Sequence, residues 1–349
     1  MVVVAAIPVG SWRFFCIKTA KRSLLDFELP GTKGCNRRVA DIEDSIDNKP
    51  HAKAETKMNH TYIHPTKGWV GKLLNALLNS VRLANVRRAF MSRLPFPVLE
   101  SDVVDVVYAN WLVDTSLAAA LAPPGARLWD CNGRTPLTIL TYRHGHFGPR
   151  AAGLLRRLMP SPLQSNWRLY LAEPLLDGPR IPTVAFVSNV MNSAIHVVGT
   201  RLFSDALPSH LPNRFLFEVG GDEACVCIDP GAGSAPGLTM SLRRQGEASL
   251  PLVWRTMFGD WNEAVGKLAS QDAAVVEFPS ANAGQTKVAI AAIRLPIDIH
   301  SVEPLSANRE DVQCALLQSL RPDAEGLFFL LPRVKFLALS ERQLLPPDV

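Results

Sequence analysis

From Trp69 the apolar positions fall into a helical rhythm, with Val70, Leu73, Leu74, Leu77, Leu78, Val81, Ala84 and Phe90 recurring at intervals of three and four. The spacing predicts one amphipathic helix over residues 69–97, ended by Pro95 and Pro97. Lys72, Arg82, Arg87, Arg88 and Arg93 occupy its other positions. Such a stripe either docks on the domain that follows or makes peripheral contact, through residues 69–93, with an anionic membrane surface. Docking is the preferred reading, because a helix face leading straight into a compact domain usually packs on it. Residues 1–68 show no sustained period. Pro30-Gly31, a mixed charge cluster over 37–47 and a polar run over 51–67 predict a poorly ordered basic segment.

Beyond residue 97 the rhythm shortens to two, and turn residues punctuate it. Strands are expected over 103–108, 136–142, 167–171, 183–187, 195–203, 215–219, 224–228, 238–242, 273–278, 287–293, 327–331 and 334–339. Helices are expected over 114–121, 260–270 and 308–320. Asp260 with Glu263 has the form of an N-cap and its third-position carboxylate, and Asn308 with Asp311 is a looser version. So few helices among so many strands predict a mainly β (α+β) domain over 98–349, a barrel or a sandwich, and exclude a doubly wound fold.

Alternation also sorts the polar residues that lie inside apolar strands. In 166–171 it places Asn166, Arg168 and Tyr170 on one face and Trp167, Leu169 and Leu171 on the other. Read as a strand, 195–203 puts Arg201 with Ile195, Val197 and Gly199, and His196 with Val198, Thr200 and Leu202. At most one of His196 and Arg201 would then face inward. The plain alternatives are a snorkelling or paired arginine and a hydrogen-bonded core histidine.

Charge is uneven along the chain. Residues 1–97 hold 16 Lys or Arg against 7 Asp or Glu, and residues 98–349 hold 21 against 25. The body therefore lacks the basic face that a nucleic-acid partner needs. The 27 Pro and 22 Gly of 349 residues exclude collagen-like and low-complexity classes. No run of 18 apolar residues marks a spanning helix. The apolar N-terminus lacks a preceding basic region and meets Pro8 early, so the expected location is cytoplasmic. The six cysteines form no Cys-x-x-Cys pair, His144-Gly-His146 lacks a third ligand, and 231–237 has the wrong glycine spacing for a dinucleotide. No cofactor and no metal is implied.

The motifs Tyr108-Ala-Asn-Trp-Leu-Val-Asp114, Leu121-Ala-Pro-Pro-Gly125 and Asp130-Cys-Asn-Gly-Arg134 come first. Asn166-Trp-Arg-Leu-Tyr170, Gly199-Thr-Arg201 and Phe328-Phe-Leu-Leu-Pro332 follow in order. Together they resemble a bacterial family of unknown function within the acetoacetate-decarboxylase-like superfamily, over residues 98–340. The resemblance implies a strongly curved antiparallel sheet closed into a cone-like barrel, with flanking helices and a small-molecule cavity inside. Decarboxylases of this superfamily form a Schiff base through a lysine whose pKa a second lysine lowers. At the matching place this chain has Pro208-Ser209-His210, so acetoacetate decarboxylase activity is not expected. Thr138 stands where those enzymes carry a glutamate, and Gln164 where many relatives carry another.

Two functions remain open at this point. One is a binding barrel for a small acidic ligand, with Asn166, Arg168, Tyr170, Arg201, His196 and Thr138 as candidate contacts. The other is an enzyme of altered chemistry, with His210 as acid or base and Arg168 orienting an acidic substrate.

Overall fold

The computed structural model describes residues 60–91, 93, 95–175, 178, 180–279 and 286–344. Most of the stretch expected to be poorly ordered, residues 1–59, lies outside these. Its last residues are tied down: Tyr62 is buried and its N–H donates to Asn79 Oδ1 at 2.8 Å.

The described strands are, in chain order, β1 (Leu99–Asp114), β2 (Arg134–Arg143), β3 (Gly148–Pro149), β4 (Leu163–Tyr170), β5 (Thr183–Met191), β6 (Ser209–His210) and β7 (Arg214–Gly220). They continue as β8 (Glu223–Asp229), β9 (Leu238–Arg244), β10 (Ala273–Pro279), β11 (Thr286–Arg294), β12 (Glu303–Ser306), β13 (Val312–Gln313) and β14 (Leu327–Leu344). Pairing runs β1–β2–β4–β5–β10–β11–β14 and returns to β1, so the sheet is ring-like. β12, β9, β8 and β7 leave β14 as a side arm, which makes the architecture more than a plain barrel. β5 pairs in parallel with β10 and with β6, and the other ladders are antiparallel. The expected mainly β, antiparallel fold class is the one observed.

Alternation explains why the ring holds together. Trp111, Val113, Ile139, Trp167 and Leu169 pack through one face onto arm residues such as Phe217, Val226 and Met240. Tyr108, Leu112, Leu140, Tyr142, Tyr170 and Phe186 use the other face, toward the ring interior, where they meet Trp254 and Leu268. With both faces covered, β1, β4 and β5 are buried almost throughout.

The described helices are α1 (Trp69–Leu78), α2 (Val81–Met91), α3 (Thr115–Ala118), α4 (Ala194–Phe203), α5 (Trp261–Ala269) and α6 (Ala315–Ser319). The single helix expected over 69–97 is thus two. Asn79 breaks it: its Oδ1 accepts from Tyr62 N and its Nδ2 donates to Tyr62 O, both at 2.8 Å, while Ser80 Oγ accepts from Leu83 N as α2 begins.

Residues 195–203, expected as a strand, form α4. The strand preference of Ile195, Val197 and Val198 is weak beside tertiary contacts, and here Val197 packs on Tyr62 and Met191 while Arg201 bonds to backbone oxygens. The split of His196 and Arg201 between two strand faces therefore does not hold.

The strands expected over 327–331 and 334–339 are one, β14, running through Pro332. It is tolerated because the β1 ladder pairs Val104↔Arg333 and Val106↔Leu331 on either side of it and leaves out Asp105 (φ 55°), which stands opposite the residue that lacks an N–H, at the place where β1 shifts its register against β2. The helix expected over 308–320 shrinks to a 3₁₀ turn at Arg309–Asp311, β13 and α6. The Asn308–Asp311 capping box and the Asp260 cap of α5 both form as read from the sequence.

Candidate functional site

A cavity of about 360 Å³ opens inside the ring. Its walls are mainly apolar, from Val106, Tyr108 and Leu140 to Phe186, Ile293 and Phe336. β4 brings Gln164 and Asn166 to it, α4 brings His196 and Thr200, and Ser204, Gln271 and Glu341 add to the polar lining. Among the described residues no lysine and no arginine lines it. Asn166 Oδ1 and Gln271 Oε1 are buried acceptors without a hydrogen-bond partner.

Beneath Gln164 runs a one-way chain of hydrogen bonds. Ser101 Oγ meets His144 Nδ1 at 2.8 Å, and His144 Nε2 donates to Gln164 Oε1 at 2.6 Å. Gln164 Nε2 donates to Asn189 Oδ1, and Asn189 Nδ2 donates to Ser209 Oγ, each at 2.6 Å. Ser209 Oγ closes the series on Leu207 O at 3.3 Å. Burial pulls the His144 imidazole down to about 4, so it is neutral at physiological pH and can donate through one nitrogen while accepting through the other.

Arg168 follows Asn166 on the same face of β4, as alternation predicted, but the lining does not include it. Its guanidinium lies 5.5 Å from the Tyr108 ring and 5.4 Å from the Tyr170 ring, and Nη2 donates to Leu268 O at 2.6 Å. Nε and Nη1 meet no acceptor. Tyr170 OH donates to the same carbonyl and meets Thr138 Oγ1 at 2.8 Å; Thr138 donates to Asn110 Oδ1, and Asn110 Nδ2 to Leu327 O. Thr138 and Tyr170 thus belong with Arg168, one layer behind the cavity wall. Burial pushes the neighbouring Tyr108 phenol up to about 12 against the pull of Arg168.

Arg201 and His210 sit elsewhere. Arg201 Nε donates to Ser209 O at 2.5 Å, and Nη2 donates to His60 O at 2.9 Å and reaches His210 Nε2 at 3.4 Å. His210 Nδ1 donates to Ser234 Oγ at 2.7 Å. Burial, with the Arg201 charge adding to it, holds His210 well below the usual imidazole value. Both of its nitrogens are engaged, and it does not line the cavity. His196, half buried and held down by burial, does line the cavity, with Nδ1 bound to Ser193 Oγ at 2.8 Å.

No family model matches this chain, and no curated protein matches it. Among solved structures it is similar to the acetoacetate decarboxylase of Legionella pneumophila, with TM-score 0.49 and 10% identity over 70% of this chain and 87% of that one. It is also similar to MppR, an enduracididine biosynthesis enzyme, in complex with pyruvate (TM-score 0.48, 11% identity, 71% and 90%). A third is an acetoacetate decarboxylase-like enzyme from Sphingomonas wittichii (TM-score 0.46, 12% identity, 72% and 94%). The first and third carry the name of the superfamily that the motifs resemble. Likeness at this level carries no chemistry across.

Of the three lysines beyond residue 97, Lys267 is exposed on α5, Lys335 Nζ lies 3.0 Å from Glu100 and Lys287 is half buried outside the lining. The sequence reading missed Gln271, Glu341, His144 and Asn189. Burial raises the Glu341 carboxyl against the bonds it accepts from Ser204 Oγ at 2.5 Å and Asp205 N at 2.6 Å. No group of three His, Cys, Asp or Glu among the described residues could hold a metal ion.

Proposed function

We propose that the protein binds a small, largely apolar molecule inside the ring, with the ligand's polar end against Gln164, Asn166 and Gln271. The lining carries this reading: among the described residues it is mostly hydrocarbon, holds no lysine or arginine, and presents two buried carbonyl oxygens that await a donor. A hydroxyl or primary amide would supply that donor.

Two groups that could start chemistry are poorly placed for it. No amine stands in the lining to form an imine. His210 is committed to Ser234 and Arg201, which leaves no support for it as acid or base toward the cavity.

One observation favours a second reading, an acidic ligand. Arg168 is a buried cation with two nitrogens lacking acceptors, one step along β4 from Asn166. The two readings separate on a matched pair of probes, hexanamide and hexanoate, followed by thermal stabilisation of the full chain. Greater stabilisation by hexanamide is expected, and greater stabilisation by hexanoate transfers the polar end to Arg168. Ala291→Phe, which fills the cavity, should abolish either response. If neither probe stabilises the protein, or if Ala291→Phe responds as the wild type does, binding inside the ring is wrong.

A further inference from the structure

The helix pair α1–α2 has more apolar surface than the body covers. At 100° per residue, Trp69, Val70, Leu73, Ala76 and Leu77 fall within one arc of about 120°, and Gly71, Leu74 and Leu78 lie opposite. The second group faces the body: Gly71 is buried, and Leu74 and Leu78 pack against the Tyr62 cluster. The first group faces away, with Trp69 77% and Leu73 58% exposed. Docking, the preferred expectation for this stripe, therefore accounts for only half of it. On α2, Val86 and Phe90 are exposed as well.

Charge narrows what can cover such a face. Residues 60–97 contain six Lys or Arg and no Asp or Glu. Arg87 and Arg88 are engaged by Asp205, but Lys67, Lys72, Arg82 and Arg93 stay exposed. Residues 1–59 of this chain carry ten Lys or Arg against seven Asp or Glu and so are on balance repelled by the face, and a second copy of the pair would set cations against cations. A surface that accepts indole and leucine side chains while offering negative charge is an anionic lipid bilayer.

We infer that α1 and α2 form a docking surface for an anionic bilayer, on which Trp69, Leu73 and Leu77 enter the headgroup–acyl boundary while Lys67, Lys72 and Arg82 meet lipid phosphates and carboxylates. The contact is superficial. Among the described residues no helix is long and apolar enough to cross a membrane. α2 leads through Phe96 and Pro97, which line the cavity in the ring, and α4 beside it adds exposed Ile195 and Phe203 at the cavity rim. α4 packs against α1 as well as α2.

The test is flotation of the full chain with phosphatidylcholine vesicles, with and without phosphatidylserine. Flotation is expected only with phosphatidylserine, and about 1 M salt should release the protein. Trp69→Ser with Leu73→Ser should lower partition by about tenfold or more, and Lys72→Glu by about fivefold. These positions are exposed, so the circular-dichroism melt should not move, and Leu252→Ser, an exposed leucine elsewhere, should float as the wild type does. If the full chain stays unbound with phosphatidylserine present, its own residues 1–59 or another copy cover the face and the inference falls. Undiminished flotation of both the double variant and Lys72→Glu overturns it equally.

Discussion

Two buried polar clusters share the inner face of β4, four residues apart. Gln164 belongs to the chain from Ser101 through His144, Asn189 and Ser209, in which none of these side chains has a buried polar atom without a partner. Arg168 belongs to the other, in which two of its nitrogens and the Tyr108 hydroxyl lack one. Burial is equal in the two, and satisfaction is not. A closed network of hydrogen bonds polarised in one direction holds strands in place, and removing a member leaves its neighbours desolvated and unpaired. In the open cluster the unpartnered atoms return nothing for their desolvation, and it is at them that an incoming group would gain most.

Asn189→Ala should show the largest effect, because Asn189 joins the two halves of the closed cluster through both ends of its amide. Its Oδ1 accepts from Gln164 and, at 3.4 Å, from Asn166, and its Nδ2 supplies Ser209. Losing these in a buried site should cost about 3 kcal/mol or more of unfolding free energy, measured by urea titration. A cost below about 1 kcal/mol would mean that water or a neighbour replaces the amide, and the contrast between the clusters would collapse.

The next effect is one of pH. His144 has its folded-state pKa depressed from 6.5 to about 4 by burial. The unfolded chain therefore binds the extra proton in that window, and the stability contributed by the neutral ring is complete above about 6.5 and lost as pH falls toward 4. The amount is about 3 kcal/mol. His60 and His210 are depressed in the same direction, so the wild type should lose stability steeply on acidification. His144→Gln keeps a donor and an acceptor in place and should remove about one proton from the uptake on unfolding. An unchanged slope would show that His144 is already protonated in the folded protein.

How far these clusters could be read beforehand follows from what a local pattern contains. The face shared by Asn166, Arg168 and Tyr170 was legible because it depends only on a period of two within one strand. The partners of Gln164 were not. Ser101, His144, Asn189 and Ser209 come from β1, the end of β2, β5 and β6, and only the strand order brings them together. Glu341 lies beyond the point where the strand was expected to stop, since β14 continues past 339 to Leu344. α4 reads as a strand because β-branched residues dominate 195–198, whereas Arg201 within it binds Ser209 O and, 141 residues away in sequence, His60 O. The motif resemblance gave the curved sheet, whereas the unpaired charge of Arg168 is a property of packing alone.

The smallest expected effect is the sharpest test of the contrast. In the open cluster Arg168 sits between two aromatic rings at 5.5 and 5.4 Å, with one carbonyl bond at 2.6 Å and no carboxylate partner. The rings each return up to about 2 kcal/mol for a desolvated cation, and the desolvation of the guanidinium costs several. Those opposed terms nearly cancel, so Arg168→Met, similar in length and wholly apolar at its end, should shift stability by no more than about 1 kcal/mol and in the stabilising direction. Leu268 O keeps a donor in either case, because Tyr170 OH already reaches it at 2.6 Å. A loss of 3 kcal/mol or more, the size of a broken buried pair, would show that the guanidinium is compensated in the unliganded protein and that the two clusters are alike. Run with the matched probes, the same variant should leave the hexanamide response intact, and it should lose a hexanoate response only if the acidic-ligand reading is the correct one.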